Sequence, residues 1–396
     1  MIPINSSFRK IIDSPYPFDK VDENKKKAAA KFGKDYIIDF GIGDPTDPTP
    51  EVVRKECVAA VEDTKAEGYP DSSGGSEFKE AVVQWMKKRF SVSLSHKEIV
   101  NTYGAKFASF HIPWLFINPN SGEKVLIPNP SYPPYTEGTI LAGGEPYFLN
   151  ITEDNDFEPD VSSLPSDLVK ESRVLFVNSP HSPTGKAYSK DKFSELIDFC
   201  NDNSIILVSD ECYSDLYFGE KPHSVLEFKG SEDCAIVLNS LSKRSMMTGY
   251  AVGFYASKNP ELLKPFDVFA RKSTQGVANI IQRAAAAAFS DEDSVKNMGL
   301  VYKERLEALL PMLDSLGCKV RKPDGTFFVW AKVPRELGTE EEFAEKLLLE
   351  KGINCVPGNL ISREFNGVNP GKGFVRFALV TSVEKIREAS SRLENL

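Results

Sequence analysis

The stretch SLSKRSMMTGYAVG, residues 240–253, decides how this chain reads. It follows an apolar run, residues 235–238, with the pattern of a buried strand, and it runs into another, residues 254–256. One lysine, Lys243, sits among small residues where the first strand ends, and Thr248-Gly249 follow. A lysine at a strand mouth can form a Schiff base if its pKa is depressed and a carbonyl lies beside it. Alone, a Ser-Lys-Arg triplet reads as a solvated loop. The rest of the chain has to decide.

Working outward, residues 205–209 form an apolar run that ends at Asp210, with Tyr213 three residues on. An acid there is costly to bury unless a cation or a hydrogen-bond donor meets it, and helix capping is the ordinary alternative. Runs at 125–128, 145–149 and 174–177 are also short and apolar, and residues 189–200 between two such runs have helical periodicity. The alternation predicts a mostly parallel sheet with helices on both faces. Chemistry in such sheets gathers beyond the carboxyl ends of the strands. Residues 178–185, 210–213 and 240–243 are polar clusters at such ends.

Nearer the N-terminus, a polar, Pro-rich arm (residues 14–18) precedes a basic helix. A short strand at 36–40 runs into Gly41-Ile42-Gly43-Asp44-Pro45, where the glycines permit close backbone approach. Thr49-Pro50 opens a helix. Another helix spans 78–90. Residues 99–106 read as strand, small-residue turn and helix, an arrangement that offers free N–H groups to an anion. Past residue 290 come a long helix at about 295–316, strands at 326–331 and 374–380, and capping-box spacings at Thr339/Glu342 and Thr381/Glu384. The expected division is an arm and part of the small domain (1–48), a large domain (49–290) and a smaller α+β domain (291–396).

Composition bounds the class. The 396 residues are 41% hydrophobic and 27% charged, enough for an ample core and two or three domains. A net charge of -9 argues against a nucleic-acid partner. No apolar run approaches a membrane span, and the N-terminus MIPINSSFRK lacks a secretory core. Six scattered cysteines without CxxC spacing suit reduced thiols in the cytoplasm. The four histidines have no paired metal spacing, so no metal site is expected. No GxGxxG follows an early strand, which argues against a dinucleotide enzyme.

An acid, a tyrosine and a lysine on neighbouring strand ends are the parts a pyridoxal phosphate site needs. At this point the chain resembles the class I/II aminotransferases of fold type I over nearly its whole length. The motifs, in order, are IGDPTDPTP (42–50), YPDSSGGSEFKEAV (69–82), YGAK (103–106), PNPSYPPY (128–135), HSPTG (181–185), SDECY (209–213), SLSK (240–243) and GFVRFALV (373–380). The resemblance implies an α/β fold with a mostly parallel sheet in a large domain, pyridoxal 5'-phosphate as cofactor, amino-acid and 2-oxo-acid substrates, and a homodimer with shared sites. It assigns Lys243 to hold the cofactor and move the proton, Asp210 to the pyridine nitrogen, and Tyr213 to the ring oxygen. Tyr132 stacks on the ring. Backbone N–H groups of Ala105 and Lys106, with the Ser240 and Ser242 hydroxyls, hold the phosphate, and Tyr69 reaches the phosphate of the other subunit. Gly43 lies against the substrate and Arg376 grips its α-carboxylate.

Two positions depart from the family pattern. Ser182 stands where an Asn usually donates to the ring oxygen, and Ala251 stands where an Arg usually clamps the phosphate. Arg244 is a candidate substitute. A hydrogen bond to a charged group contributes roughly 1.5–3 kcal/mol, so losing the Arg corresponds to about 10- to 150-fold in affinity. Two rival readings stay open: a β-lyase on the same fold, and a non-catalytic pyridoxal-phosphate-binding relative, given Ser182 and Ala251. The stretches 16–28, 37–50, 84–92 and 140–148 are most similar to LL-diaminopimelate aminotransferases, a subgroup that moves an amino group from glutamate onto tetrahydrodipicolinate.

Overall fold

The computed structural model describes residues 4–13 and 18–393. Residues 14–17 of the Pro-rich arm, and with them the first two residues of the stretch 16–28, lie outside the described residues.

A seven-stranded sheet forms the centre. In spatial order its strands are Ile99–Thr102, Gly253–Ala256, Ala235–Ser240, Ile206–Asp210, Ser172–Asn178, Lys124–Asn129 and Glu145–Asn150. Gly253–Ala256 runs antiparallel to both neighbours, and every other pairing is parallel. The apolar runs of the sequence became these strands, with ends moved by a residue or two.

Side-chain alternation explains the layers. Val125, Ile127, Val174, Phe176, Ile236 and Leu238 face one core, closed by the helices Gly104–Phe116 and Pro260–Ser273. Leu126, Leu175, Val177, Ala235 and Val237 face the other, closed by Ser76–Phe90, Lys190–Asn203 and Asn279–Ser290. Because both faces are covered, these strands are apolar throughout, as buried parallel strands must be.

A third core is built mostly from residues after 291, with Leu216 added from the preceding segment. Its four-stranded antiparallel sheet orders Val356–Pro357, Phe374–Ala378, Phe328–Lys332 and Lys319–Val320. The helices Glu292–Ser315, Glu340–Lys351 and Val383–Leu393 pack on it. Ile38 and Phe40 belong to this same core, and Ile38–Asp39 pairs in parallel with Ile353–Asn354. The N-terminal segment is thereby threaded into the C-terminal unit.

Local details differ from expectation where backbone geometry decides. Pro50 is the cap of helix Glu51–Glu62 rather than its first residue. Thr339 and Glu342 do form a reciprocal capping box. At the last helix Lys385 N donates to Ser382 Oγ at 3.3 Å, so Ser382, not Thr381, serves the first turn of Val383–Leu393. Residues after Ser240 form a short helical turn, Leu241–Arg244, instead of an open loop.

Candidate active site

Three parallel strands end in register, with Asn178 opposite Asp210 and Asp210 opposite Leu238. Asn178 Nδ2 donates to the Asp210 carbonyl at 2.8 Å, and its Oδ1 accepts from Ser182 N at 2.8 Å. One amide therefore ties the HSPTG loop to the strand that carries the acid. The Asp210 carboxylate is buried and accepts from Tyr135 Oη at 2.6 Å and from Cys212 N at 3.2 Å. Burial pushes its pKa up, opposed by those donors. Among the described residues no cation pairs with it. Neighbouring Glu211 turns away to accept from Val225 N and the hydroxyls of Ser209 and Ser224, and burial pushes its pKa up to about 8.

Lys243 lies just past the adjacent strand. Ser240 caps its turn by accepting from Ser242 N at 3.2 Å. Leu241 N donates to Val252 O at 3.1 Å, which brings residues 251–253 beside the turn. Lys243 Nζ donates to Gly43 O at 2.9 Å and sits 5.4 Å from the Phe327 ring centroid. Burial lowers its pKa, partly offset by Asp44 and Cys212. Depression of that kind increases the neutral, nucleophilic fraction of the amine.

Arg244 points the other way. Its guanidinium donates to Asp215 Oδ2 at 2.7 Å and to the carbonyls of Ala288 and Phe289. Asp215 also accepts from Arg89 Nε at 2.9 Å and Trp85 Nε1 at 3.2 Å. Arg244 is thus committed to a buried structural node and does not replace the missing phosphate arginine. Ala251 has φ 49° and ψ 55° and is exposed.

A corner with the donors an anion needs forms where helix Gly104–Phe116 begins. Gly104 has φ +73°, and a Cβ built there would stand 3.5 Å from Ser240 Oγ. Ser240 Oγ and Ser242 Oγ are 3.0 Å apart. The first N–H groups of the helix, including those of Ala105 and Lys106, have no partner within the helix. Hydroxyls and a helix N-terminus together favour a phosphate. Tyr69 is 88% exposed and lies on the surface of its own chain.

Arg376 lies in strand Phe374–Ala378. Its guanidinium is 4.2 Å from the Phe328 ring centroid, and Nη2 donates to Gly41 O at 3.2 Å. Its buried Nε has no partner, and no carboxylate pairs with it among the described residues. Burial lowers its pKa to about 10, opposed by Tyr213. A buried guanidinium left this way is matched by an incoming carboxylate. Tyr213 packs edge-on against Phe327 and Phe328. Tyr132 is 42% exposed at the site's rim, edge-to-face with Tyr135 at 5.9 Å.

Sequence reasoning missed Tyr135, Asn178 and Cys212 as site residues. Tyr135 lies in the first turn of the helix Pro133–Leu141, three residues after its extended cap Tyr132, and belongs to the same PNPSYPPY motif. Cys212 lies between two assigned residues, and its thiol neighbours both Asp210 and Lys243. Nothing in the sequence distinguishes it from a buried structural cysteine.

The residues present fit pyridoxal phosphate. An uncompensated buried carboxylate awaits a protonated ring nitrogen, an amine of lowered pKa awaits a carbonyl, and a helix N-terminus with two hydroxyls awaits a phosphate. Comparison with known proteins agrees. The family model for aminotransferase class I and II matches residues 35–393. LL-diaminopimelate aminotransferases from Aquifex aeolicus and Syntrophobacter fumaroxidans are each 36% identical over 385 residues, covering 96% of both chains. Among solved structures, an aminotransferase from Neisseria meningitidis superposes with a TM-score of 0.90 at 31% identity, covering 98% of this chain and 99% of that one. The substrate-bound BacF structure from Bacillus subtilis gives 0.89 at 28% identity, covering 99% and 97%. The chain belongs to the class I and II aminotransferases, and it is an enzyme that moves an amino group between an amino acid and a 2-oxo acid by the pyridoxal-phosphate chemistry of that family.

Proposed function

We propose that this chain binds pyridoxal phosphate through Lys243 and uses it to transaminate glutamate and an LL-diaminopimelate-type partner. The observation that carries the reading is the placement of Asp210 and Lys243 at the carboxyl ends of two adjacent central strands: a buried acid without a cation, and an amine with a lowered pKa. Bound pyridoxal phosphate supplies an electron sink for charge developing at the substrate's α-carbon.

The chain's own groups do the rest. Asp210 holds the ring nitrogen protonated, Tyr213 donates to the ring oxygen, and Tyr132 covers the ring face. Ser182 offers a hydroxyl where the family amide usually stands. Ala105 and Lys106 N–H groups, with Ser240 and Ser242, bind the phosphate. Arg376 orients the substrate by its α-carboxylate, and Gly43 leaves room beside it. Lys243 Nζ would hold and move the substrate's α-proton, as a general base and then as a general acid.

Tyr69, exposed on its own chain, serves the phosphate of a second copy, so the working assembly is a homodimer with shared sites. The domain division is 1–48, 49–290 and 291–396, supported by the separate cores. Six unpaired cysteines support a cytoplasmic setting. Among the described residues no helix is long and apolar enough to cross a membrane. The similarity to named LL-diaminopimelate aminotransferases supports the substrate class.

The test is the visible spectrum of purified protein with pyridoxal phosphate. A bound-cofactor band, absent in Lys243→Ala and converted by glutamate or LL-diaminopimelate to the pyridoxamine form, is the expected result. A band that neither amino acid converts overturns the assigned donors. Ammonia release without an oxo-acid acceptor replaces transamination by a lyase reaction.

A further inference from the structure

Residues 40–44 hold both of the site's key cations. Gly41 O accepts from Arg376 Nη2 at 3.2 Å, and Gly43 O accepts from Lys243 Nζ at 2.9 Å. Asp39 sets the course of that segment. Its Oδ1 accepts from Gly41 N at 2.8 Å and from Asn354 Nδ2 at 2.6 Å, while Oδ2 pairs with Lys25 Nζ at 2.7 Å. Phe40 is clamped on both sides, by its N–H to Asn354 O at 2.9 Å and by its carbonyl from Ala378 N at 2.7 Å. The fit at Gly41 is close: a Cβ there would stand 2.5 Å from Asn354 Nδ2 and 3.1 Å from Asp39 Oδ1.

We infer that Asp39, anchored by Asn354 and Lys25, is a positioning residue that aims the Gly41 carbonyl and through it the guanidinium of Arg376. The inference rests on the proposed role of Arg376 as the α-carboxylate grip. Asp39 touches neither substrate nor cofactor. Asp39 Oδ1 on the Gly41 N–H and Ala378 N on the Phe40 carbonyl hold the peptide between Phe40 and Gly41 from both sides, and so fix the Gly41 Cα from which the carbonyl facing Arg376 departs. The guanidinium then waits in one orientation, with Nε unpartnered, and less rotamer freedom is lost when a carboxylate arrives. Lys243 is held from Gly43, two residues further on, so the effect falls on substrate binding and not on proton transfer.

The test compares Asp39→Ala, Asp39→Asn and Arg376→Lys in the holoenzyme. Readouts are KM and kcat for both substrates, the cofactor dissociation constant, and the dissociation constant of 2-methylglutamate, which has no α-proton to lose. Asp39→Ala is expected to raise both KM values and the 2-methylglutamate constant by about five- to tenfold, the worth of one hydrogen bond. The turnover number and the cofactor constant stay within about twofold. Asp39→Asn keeps an acceptor for Gly41 N, so its KM values rise less than about threefold, the half-exposed pair with Lys25 adding little. If Asp39→Ala does not fold, Asn354→Ala carries the same test, with about three- to fivefold in KM at constant kcat. Unchanged KM values, or kcat falling while KM holds, overturn the inference. Arg376→Lys separates it from the reading beneath. If that variant also leaves 2-methylglutamate binding unchanged, Arg376 is not the grip and both fall. If it weakens binding while Asp39→Ala does not, only the role of Asp39 falls.

Discussion

Tyr135 Oη donates a 2.6 Å hydrogen bond to Asp210 Oδ2, and both side chains are buried. The tyrosine ring stacks flat on Phe176, with centroids 4.6 Å apart and planes 3° from parallel. Desolvation raises the pKa of Asp210, and the Tyr135 hydroxyl opposes that rise. Asp210, the proposed partner of the ring nitrogen, is thus supported in its ionised form by a donor packed in the core.

Tyr135→Phe keeps the stack and removes the donor. A bond to a charged group contributes roughly 1.5–3 kcal/mol. The expected outcome is at least about tenfold weaker pyridoxal phosphate binding, with a modest fall in the melting temperature of the apoprotein. Absorbance titration of the apoprotein checks it. Unchanged affinity would show that the Cys212 N–H alone keeps Asp210 ionised.

Ala251→Arg is expected to tighten cofactor binding by about 10- to 150-fold. Residue 251 already holds a left-handed backbone, and alanine already bears the Cβ penalty, so arginine adds no new strain. Its neighbour Val252 accepts from the Ser240 hydroxyl at 3.2 Å, which places the new side chain beside the phosphate corner. Equilibrium dialysis of the two proteins measures the gain.

Arg244→Met should act on stability and leave the cofactor alone. The substitution strands the buried carboxylate of Asp215 with Arg89 as its remaining ion-pair partner. Breaking a buried pair from one side costs about 3–5 kcal/mol. Urea unfolding is expected to report a loss of that order, while the dissociation constant of pyridoxal phosphate stays the same. A large change in that constant would mean Arg244 does reach the phosphate.

His181 predicts an acid-side weakness. It is fully buried, Nε2–H donates to Pro130 O at 3.1 Å, and Nδ1 accepts from Thr184 Oγ1 at 2.9 Å. Burial lowers its pKa to about 4. The unfolded chain takes up this proton near pH 6.5, so the unfolded state binds more protons between the two values. Stability from this group is complete above about pH 6.5 and is lost as pH falls towards 4, roughly 3 kcal/mol in all. His181→Gln is expected to flatten that part of the curve of unfolding free energy against pH. An unchanged slope over this range would assign the acid weakness to other groups.

Much of the fold was legible because its signals are local. The runs at 125–128, 174–177 and 235–238 are apolar without interruption, and only a strand covered on both faces needs that. The ends at Asp210 and Lys243 were legible because charged residues that close such runs must have a reason to be there. The helix starts at Thr339 and near Thr381 were written in capping spacings, although which residue capped the second was settled by backbone geometry at Ser382.

By itself the sequence determined the mostly parallel sheet, the acid and lysine where its central strands end, and the two departures at Ser182 and Ala251. Each of these is a matter of residue type, order and spacing along one chain. Only the tertiary structure decided that Arg244 turns into the core, that Tyr135 donates to Asp210, and that Asp39 meets Asn354 beside the segment that contacts Arg376. Those outcomes depend on which way a side chain leaves the backbone and on partners far away in sequence. Asp215 and Glu292 draw Arg244 inward, and Asn354 reaches Asp39 only because Ile38–Asp39 pairs with Ile353–Asn354. A long-range pairing of that kind leaves no local trace in either segment.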